Sequence, residues 1–401
     1  MSAAPDTLGH KYLLPRHWNV TIERGPDMSL LLSSVRAMTD GRMRRKAKQM
    51  RRDRRRARKR SVDTVAELPP EDPPPEPPNI LDPWTFLLFA SKQVEAAKPD
   101  PLAKFRSRQE DPIDVDYLIK SLVDDPNPGS ASAVALFAEL VDGELQLRCR
   151  EALNTYNGPL VPWVTALREV DVYRAVRLSY VLGDFDQILL GARLADGQEA
   201  TCAVWVDHLD DSEIADAALF VVTIDDVVDE LSGPDLTATG MSLADARAWI
   251  DYGLRRTSVF RETATWPDCR PLVRWLVGRL PDGGDFYQLP MWGRDGSKAL
   301  LDEFFASEAG AVFDGRDHRY LLQEIVESGT GDPLRWSAAR VEQVLESSLL
   351  EGGHPLKVLL DVPDLLRAFI PFAHERSGIR EGLTARALNA LDWAGPERRS
   401  A

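Results

Sequence analysis

Apolar and polar positions alternate most regularly between residues 187 and 222. QILLGARL (187–194) and EATCAVWV (199–206) flank Ala195-Asp196-Gly197-Gln198. An Asp-Gly pair between two strand-like runs predicts a tight hairpin, because glycine accepts positive φ. Cys202, Val204 and Val206 alternate with Thr201, Ala203 and Trp205, and DAALFVV (216–222) extends the hairpin into a small antiparallel sheet. Thr223 with Asp226 three residues later has the spacing of a capping box and predicts a short helix.

On either side the period is mainly helical. From 80 to 182 the run 131–153 carries apolar residues at helical spacing with an interruption near Gly143, and proline-rich breaks fall at 99–101 and 126–128. VDVYRAVRLSYVLG (170–183) fits either a helix or the beginning of a strand. After 232 the pattern is helical again. Ser242 and Asp245 stand in capping-box spacing ahead of a stripe of Leu243, Ala246, Ile250 and Leu254, and six further amphipathic segments follow up to about residue 394. Gly329 and Gly378 are natural helix stops. The expected class is α+β, predominantly helical, with a small antiparallel sheet near 187–222.

The N-terminal side is different. Residues 1–40 hold a short alternating run at 18–23 and one helical face of Leu31, Val35 and Met38, too little to build a core. Then comes GRMRRKAKQMRRDRRRARKR (41–60). Between 42 and 60 stand thirteen cations, namely Arg42, Arg44, Arg45, Lys46, Lys48, Arg51, Arg52, Arg54, Arg55, Arg56, Arg58, Lys59 and Arg60, against one acid, Asp53. The chain as a whole carries −14, so the remainder carries −26. Residues 61–79 follow with seven prolines and five acids and no hydrophobic period, which predicts an extended linker reaching about 60 Å at the polyproline rise. The organisation read from the chain is therefore a short segment (1–40), an arginine-rich arm (41–60), a proline-rich acidic linker (61–79), a helical region (80–182), a sheet region (183–231) and a helical region (232–394).

Like charges at this density repel, and no apolar stripe in 42–60 is wide enough to fold it, so disorder is expected until a polyanion neutralises it. Phosphate backbones suit such an arm: each neutralised phosphate releases condensed counterions, and arginine adds planar donors that pair with phosphate and stack on bases. The acidic body is repelled by the same polymer, but over a Debye length of only about 8 Å, and the linker spans more than that. The expected partner is DNA or RNA, bound without sequence preference and in a salt-sensitive way. The alternative is an acidic protein surface, with the chain acting as an adaptor.

Chemistry-bearing motifs are few. Val206-Asp207-His208-Leu209-Asp210-Asp211 is the most site-like, since Asp207 and His208 at a strand end could serve a hydrolase or a divalent metal. A structural role is the competing reading, because strand ends are often acidic for solvation alone. His318, His354 and His374 are isolated. GTGDPLRWSAARVE (329–342) lacks the GK[ST] ending of a phosphate loop; Gly331 as a stop and Ser337 as a cap explain it better. No G-x-S-x-G, H-E-x-x-H or cofactor motif is present, so no catalytic residue, metal or cofactor is assigned. Cys149, Cys202 and Cys269 are odd in number and widely spaced, as buried thiols would be. No apolar run is long enough to span a membrane and no secretory h-region opens the chain, so a soluble cytoplasmic protein is expected.

Three stretches carry a resemblance: ATCAVWVDHLDDSEIADA (200–217), GDPLRWSAARVEQVL (331–345) and LLRAFIPFAHERSGI (365–379). They resemble an uncharacterised family of actinobacterial proteins in which a V-D-H strand end and a D-P-L-R-W-S segment recur. The resemblance covers about the C-terminal half. It implies a bacterial cytoplasmic origin and no activity or site residue.

Overall fold

The Asp196-Gly197 turn closes the hairpin that the alternation predicts. Gly197 sits at φ +89° and donates its N–H to the Leu194 carbonyl, while Leu194 N donates to Gln198 O, both at 2.9 Å. A side chain at Gly197 would be forced into a left-handed conformation that costs about 1–2 kcal/mol. The structure is a computed structural model that describes residues 83–96, 115–124, 127–256, 265–288, 292, 294–347 and 353–398, together with two paired dipeptides, β1 (His10–Lys11) and β2 (Thr21–Ile22). The arm at 42–60 and the linker at 61–79 lie outside the described residues.

Among the described residues β3 (Asp171–Tyr180), β4 (Phe185–Arg193), β5 (Glu199–Asp207), β6 (Glu213–Phe220) and β7 (Leu236–Met241) form one antiparallel sheet in the order β6-β5-β4-β3-β7. The class is α+β with a small sheet, as expected. The sheet is wider than 187–222. The ambiguous run at 170–183 is a strand, β3, which pairs with β4 through Val176↔Leu189 and with β7 through Val176↔Gly240. β7 falls within the stretch expected to be helical because LTATGM is short and its apolar positions are small or at its ends: it is an edge strand with mostly exposed side chains, held by backbone pairing that side chains do not announce.

Helices cover both faces of this sheet. Ahead of it come α1 (Pro83–Ala96), α2 (Val115–Asp124), α3 (Pro128–Leu140), α4 (Gly143–Thr155) and the short α5 (Pro162–Thr165). Asn127 caps α3 by accepting the Ser130 N–H at 2.9 Å, and the expected break at Gly143 separates α3 from α4 with φ +64°. After β6, α6 (Ile224–Leu231) opens with the capping box expected of Thr223 and Asp226. Past β7 come α7 (Leu243–Leu254), capped by Ser242, and α8 (Trp266–Val277). One face of the sheet, with Ile188, Leu190, Cys202, Val204 and Ile214, packs with Trp84 and Leu87 of α1, Leu136 of α3, Ile250 of α7 and Leu272 of α8. The opposite face, with Val176, Leu178, Leu189 and Phe220, lies against Ile224, Val227 and Leu231 of α6. Positions 188 and 190 alternate with 189, so one strand serves both layers.

The remaining helices build a second core. α9 (Arg294–Ala306), α10 (Glu308–Ala311), α11 (Arg316–Glu327), α12 (Ala338–Glu346), α13 (Leu356–Leu360), α14 (Val362–Ser377) and α15 (Glu381–Arg398) surround Phe304, Phe305, Leu322, Ile325, Trp336 and Phe369. Gly378 ends α14 at φ +67°, the left-handed stop its sequence predicts. The two cores meet at one end of the sheet. Tyr180 stacks on Phe185 and Phe185 on Trp205, with centroids 4.7 and 4.2 Å apart, and Leu383 of α15 joins this group. Arg380 and Arg386 both reach Asp235, and Gln343 Nε2 donates to Leu209 O at 2.8 Å. All three cysteines are free and buried, and burial raises the thiol of Cys149 to about 11 and that of Cys202 to about 12. No described helix is long and apolar enough to cross a membrane.

Candidate functional site

His208 follows β5 by one residue, and its N–H donates to Asp184 O at 2.7 Å, which continues the β4–β5 ladder past the strand end. Residues facing one another across the ladder share a side of the sheet, so Asp184, Asp186, Val206 and His208 fall on one side and Asp207 on the other. The imidazole is 1% exposed and held at both nitrogens: Nε2 lies 2.7 Å from Asp186 Oδ2 and Nδ1 2.9 Å from Ser212 Oγ. Arg177 Nη2 donates to the same Asp186 oxygen at 2.9 Å. The ring of Tyr287 stacks on the imidazole with centroids 3.8 Å apart, Trp249 meets it edge-on, and the Arg177 guanidinium lies over Trp249 at 4.7 Å.

Sequence reasoning singled out Asp207 and His208 as a pair, and the structure separates them. Asp207 Oδ1 accepts the Leu209 N–H at 2.9 Å and organises the turn after β5, while the carboxylate that meets His208 is Asp186, twenty-two residues earlier. Ser212 and Tyr287 were also missed. A signal for Asp186 existed in the hairpin register, since the Asp196-Gly197 turn fixes which residue faces Val206. For Tyr287 the sequence offered none.

The loop between β5 and β6 delivers Ser212 through two residues with left-handed backbones, Asp211 at φ 55° and Ser212 at φ 58°. Such conformations cost on the order of 1 kcal/mol each for residues with a Cβ, and packing holds them. The resulting line of Ser212 hydroxyl, His208 imidazole and Asp186 carboxylate can transfer a proton along its length, with Asp186 fixing the tautomer that leaves Nδ1 as the acceptor. Ser212 is 5% exposed, so substrate reaches it only if the 208–213 loop opens.

The electrostatics are set by burial and by these bonds. Burial pushes the Asp186 carboxyl upward, but the hydrogen bonds and charges of His208 and Arg177 outweigh it, and its pKa lies below the ordinary carboxylate value. Tyr287 is raised to about 12, chiefly by burial and further by Asp186. Asp184, 3% exposed at the β3–β4 turn, is raised to about 7 by burial and by the nearby Asp207. Its carboxylate oxygens lack a well-formed hydrogen bond, and the Ser337 hydroxyl and the Arg340 charge ease its ionisation only in part. Among the described residues no group of three His, Cys, Asp or Glu side chains could hold a metal ion.

The other histidines have structural partners. His318 Nε2 lies 3.0 Å from Asp361 and His354 Nε2 2.8 Å from Glu324. His374 Nε2 accepts the Trp336 N–H at 3.0 Å, so Nδ1 carries the proton toward Thr384 Oγ1 at 2.8 Å; burial lowers its pKa to about 4. The phosphate-like segment 329–342 wraps around Arg340 instead of a ligand. That guanidinium is fully buried and donates to the carbonyls of Asp332, Arg335, Val326 and Ser328, with Trp336 stacked against it at 4.2 Å. Ser337 caps α12, as its position predicts.

The thirteen cations between 42 and 60 lie outside the described residues. No family model matches this chain, and neither does any curated protein or solved structure.

Proposed function

We propose that this protein associates with DNA or RNA, without sequence preference, through the arginine-rich arm at 42–60, while the acidic body meets a second partner in the cytoplasm. The observation that carries this reading is the segregation of charge: thirteen cations and one acid within nineteen residues, against −26 for the rest of the chain. Counterion release from phosphates favours such an arm with any sequence of bases. The test is to delete 42–60 and compare retention on duplex DNA and single-stranded RNA. If the arm engages six to ten phosphates, the intact chain loses about 10³–10⁵ in affinity between 50 and 200 mM salt, and the deletion removes both the binding and the salt slope. Unchanged retention after deletion ends the proposal. Retention of an acidic protein instead, insensitive to nuclease, favours the adaptor reading.

A second reading has one observation behind it. Ser212, His208 and Asp186 stand in hydrogen-bonded line, with the serine on a left-handed turn. In a hydrolase built on this line the Ser212 oxygen attacks an acyl carbon, its proton passes to His208 Nδ1, and the imidazolium returns it to the leaving group. A fluorophosphonate probe is the direct test. Labelling of Ser212 in the folded protein, abolished in Ser212→Ala and reduced at least about a hundredfold in His208→Gln, supports the reading. A folded protein that takes no label at Ser212 removes it and leaves His208 as a structural histidine.

A further inference from the structure

The outward side of α7 forms one wall of an open groove of about 420 Å³, whose other wall is the loop after α8 that carries Asp282, Gly283, Gly284 and Phe286. The groove is built, not incidental. A Cβ on Gly284 would lie 2.1 Å from the Ala244 carbonyl carbon, so only glycine lets this loop lie against the start of α7. Asp285 N donates to Asp245 Oδ1 at 2.8 Å, and Arg247 ties the loop by donating to Leu280 O at 2.5 Å and pairing with Asp282 at 3.0 Å. A second depression of about 350 Å³ continues it, sharing Arg247, Asp251 and Arg255 and reaching Arg274 at the end of α8.

Two features of this surface ask for an occupant. Tyr252 and Phe286 stack with centroids 5.8 Å apart, and Phe286 remains 53% exposed, which presents an aromatic platform to solvent. Arg255 and Arg274 are exposed cations without an ion-pair partner among the described residues, on a body that is otherwise strongly acidic. An aromatic platform beside exposed arginines fits a segment that is proline-rich and acidic together: proline rings pack on aromatic rings, and carboxylates pair with guanidinium groups.

We propose that the groove between α7 and the 282–286 loop holds the acidic proline-rich stretch 61–79 of the same chain. That stretch contains ELPPEDPPPEPP, in which Glu71, Asp72 and Glu76 alternate with runs of proline. Three residues separate its end at Asn79 from Pro83, which opens α1, so it is tethered to the body, and nineteen residues at the polyproline rise of about 3.1 Å extend about 60 Å. Tethering supplies an effective concentration in the millimolar range, so a weak site is occupied without tight contacts. Docking in this way fixes where the arm at 42–60 leaves the body, on the α7 side. The inference does not rest on which partner the arm binds, but it replaces the freely extended linker expected from the sequence with one held against the body.

The experiment uses the full chain with the photo-crosslinking residue p-benzoylphenylalanine in place of Pro74. Irradiation at high dilution is expected to join position 74 to peptides spanning 244–256 or 282–288 within one molecule. The pair of reversals Arg255→Glu and Arg274→Glu should cut that yield about tenfold, the loss of two ion pairs together. Combining them with Glu71→Arg and Glu76→Arg should restore it, and Phe286→Ser should lower it with charges intact. Arg255, Arg274 and Phe286 are exposed, so substitutions there keep the fold, which the urea midpoint verifies for every variant. Crosslinks to other surfaces, yields indifferent to charge reversal, or crosslinks only between separate molecules each overturn the proposal.

Discussion

Asp184 is the residue whose environment conflicts most with its chemistry. A carboxylate 3% exposed, at the meeting of the β3–β4 turn with the start of α12, resists ionisation, and its pKa stands near 7 against 3.8 for the free group. The folded protein therefore keeps a proton that the unfolded chain releases between about pH 4 and pH 7. Stability falls as pH rises through that window and levels off above it. Asp186, two residues on, works in the opposite sense: its lowered pKa means that its contribution is present above the unfolded value and disappears as pH drops through the folded one. Asp184→Asn removes the raised group while keeping its shape. The variant is expected to match the parent near pH 4 and to exceed it by on the order of 4 kcal/mol at pH 8, measured by urea unfolding at the two pH values. Equal pH dependence in parent and variant would show that Asp184 ionises freely in the folded state.

At the scale of elements, the joint between α11 and α12 is held from inside by a side chain that patterns place outside. Arg340 reads as a polar position on α12, and long cations are rarely buried. Here the last turn of α11 and the loop 328–337 together turn four carbonyls inward, and a planar fork satisfies them together while Trp336 covers its face. Burial lowers the Arg340 pKa to about 10, which still leaves the group charged at neutral pH. A lysine carries the charge but cannot reach four carbonyls from one plane. Arg340→Lys should thus lose about 3 kcal/mol in urea, with carbonyls left unpaired in the interior. A midpoint equal to that of the parent would mean that the fork is not what closes the joint. Ser337 as cap and Gly378 as stop were legible from residue type and spacing, because capping is a local property of three or four residues. The role of Arg340 was not, because it depends on carbonyls up to fourteen residues away.

For the whole molecule, the organising quantity is charge. The chain carries −14, and removing 42–60 would leave −26, so the deletion that tests nucleic-acid association also moves the protein to later elution on an anion exchanger. The body is two cores joined at one end of the sheet by the Tyr180–Phe185–Trp205 stack, the Asp235 pairs with Arg380 and Arg386, and the Gln343 bond to Leu209 O. His208 and Asp184 both lie beside this junction: His208 N donates to Asp184 O, and Gln343 of α12 bonds the adjacent Leu209.

What the amino-acid order determined by itself was local and periodic. The Asp196-Gly197 hairpin, the box at Thr223 and Asp226, the break at Gly143 and the separation of a cationic stretch from an acidic remainder each follow from neighbours in the chain. Tertiary structure alone decided the partners: that β7 completes the sheet, that Asp186 and not Asp207 meets His208, and that Arg340 turns inward. The physical reason is range. Caps and turns are satisfied within a few residues, whereas a buried ion or an edge strand is stabilised only by groups that folding brings from elsewhere.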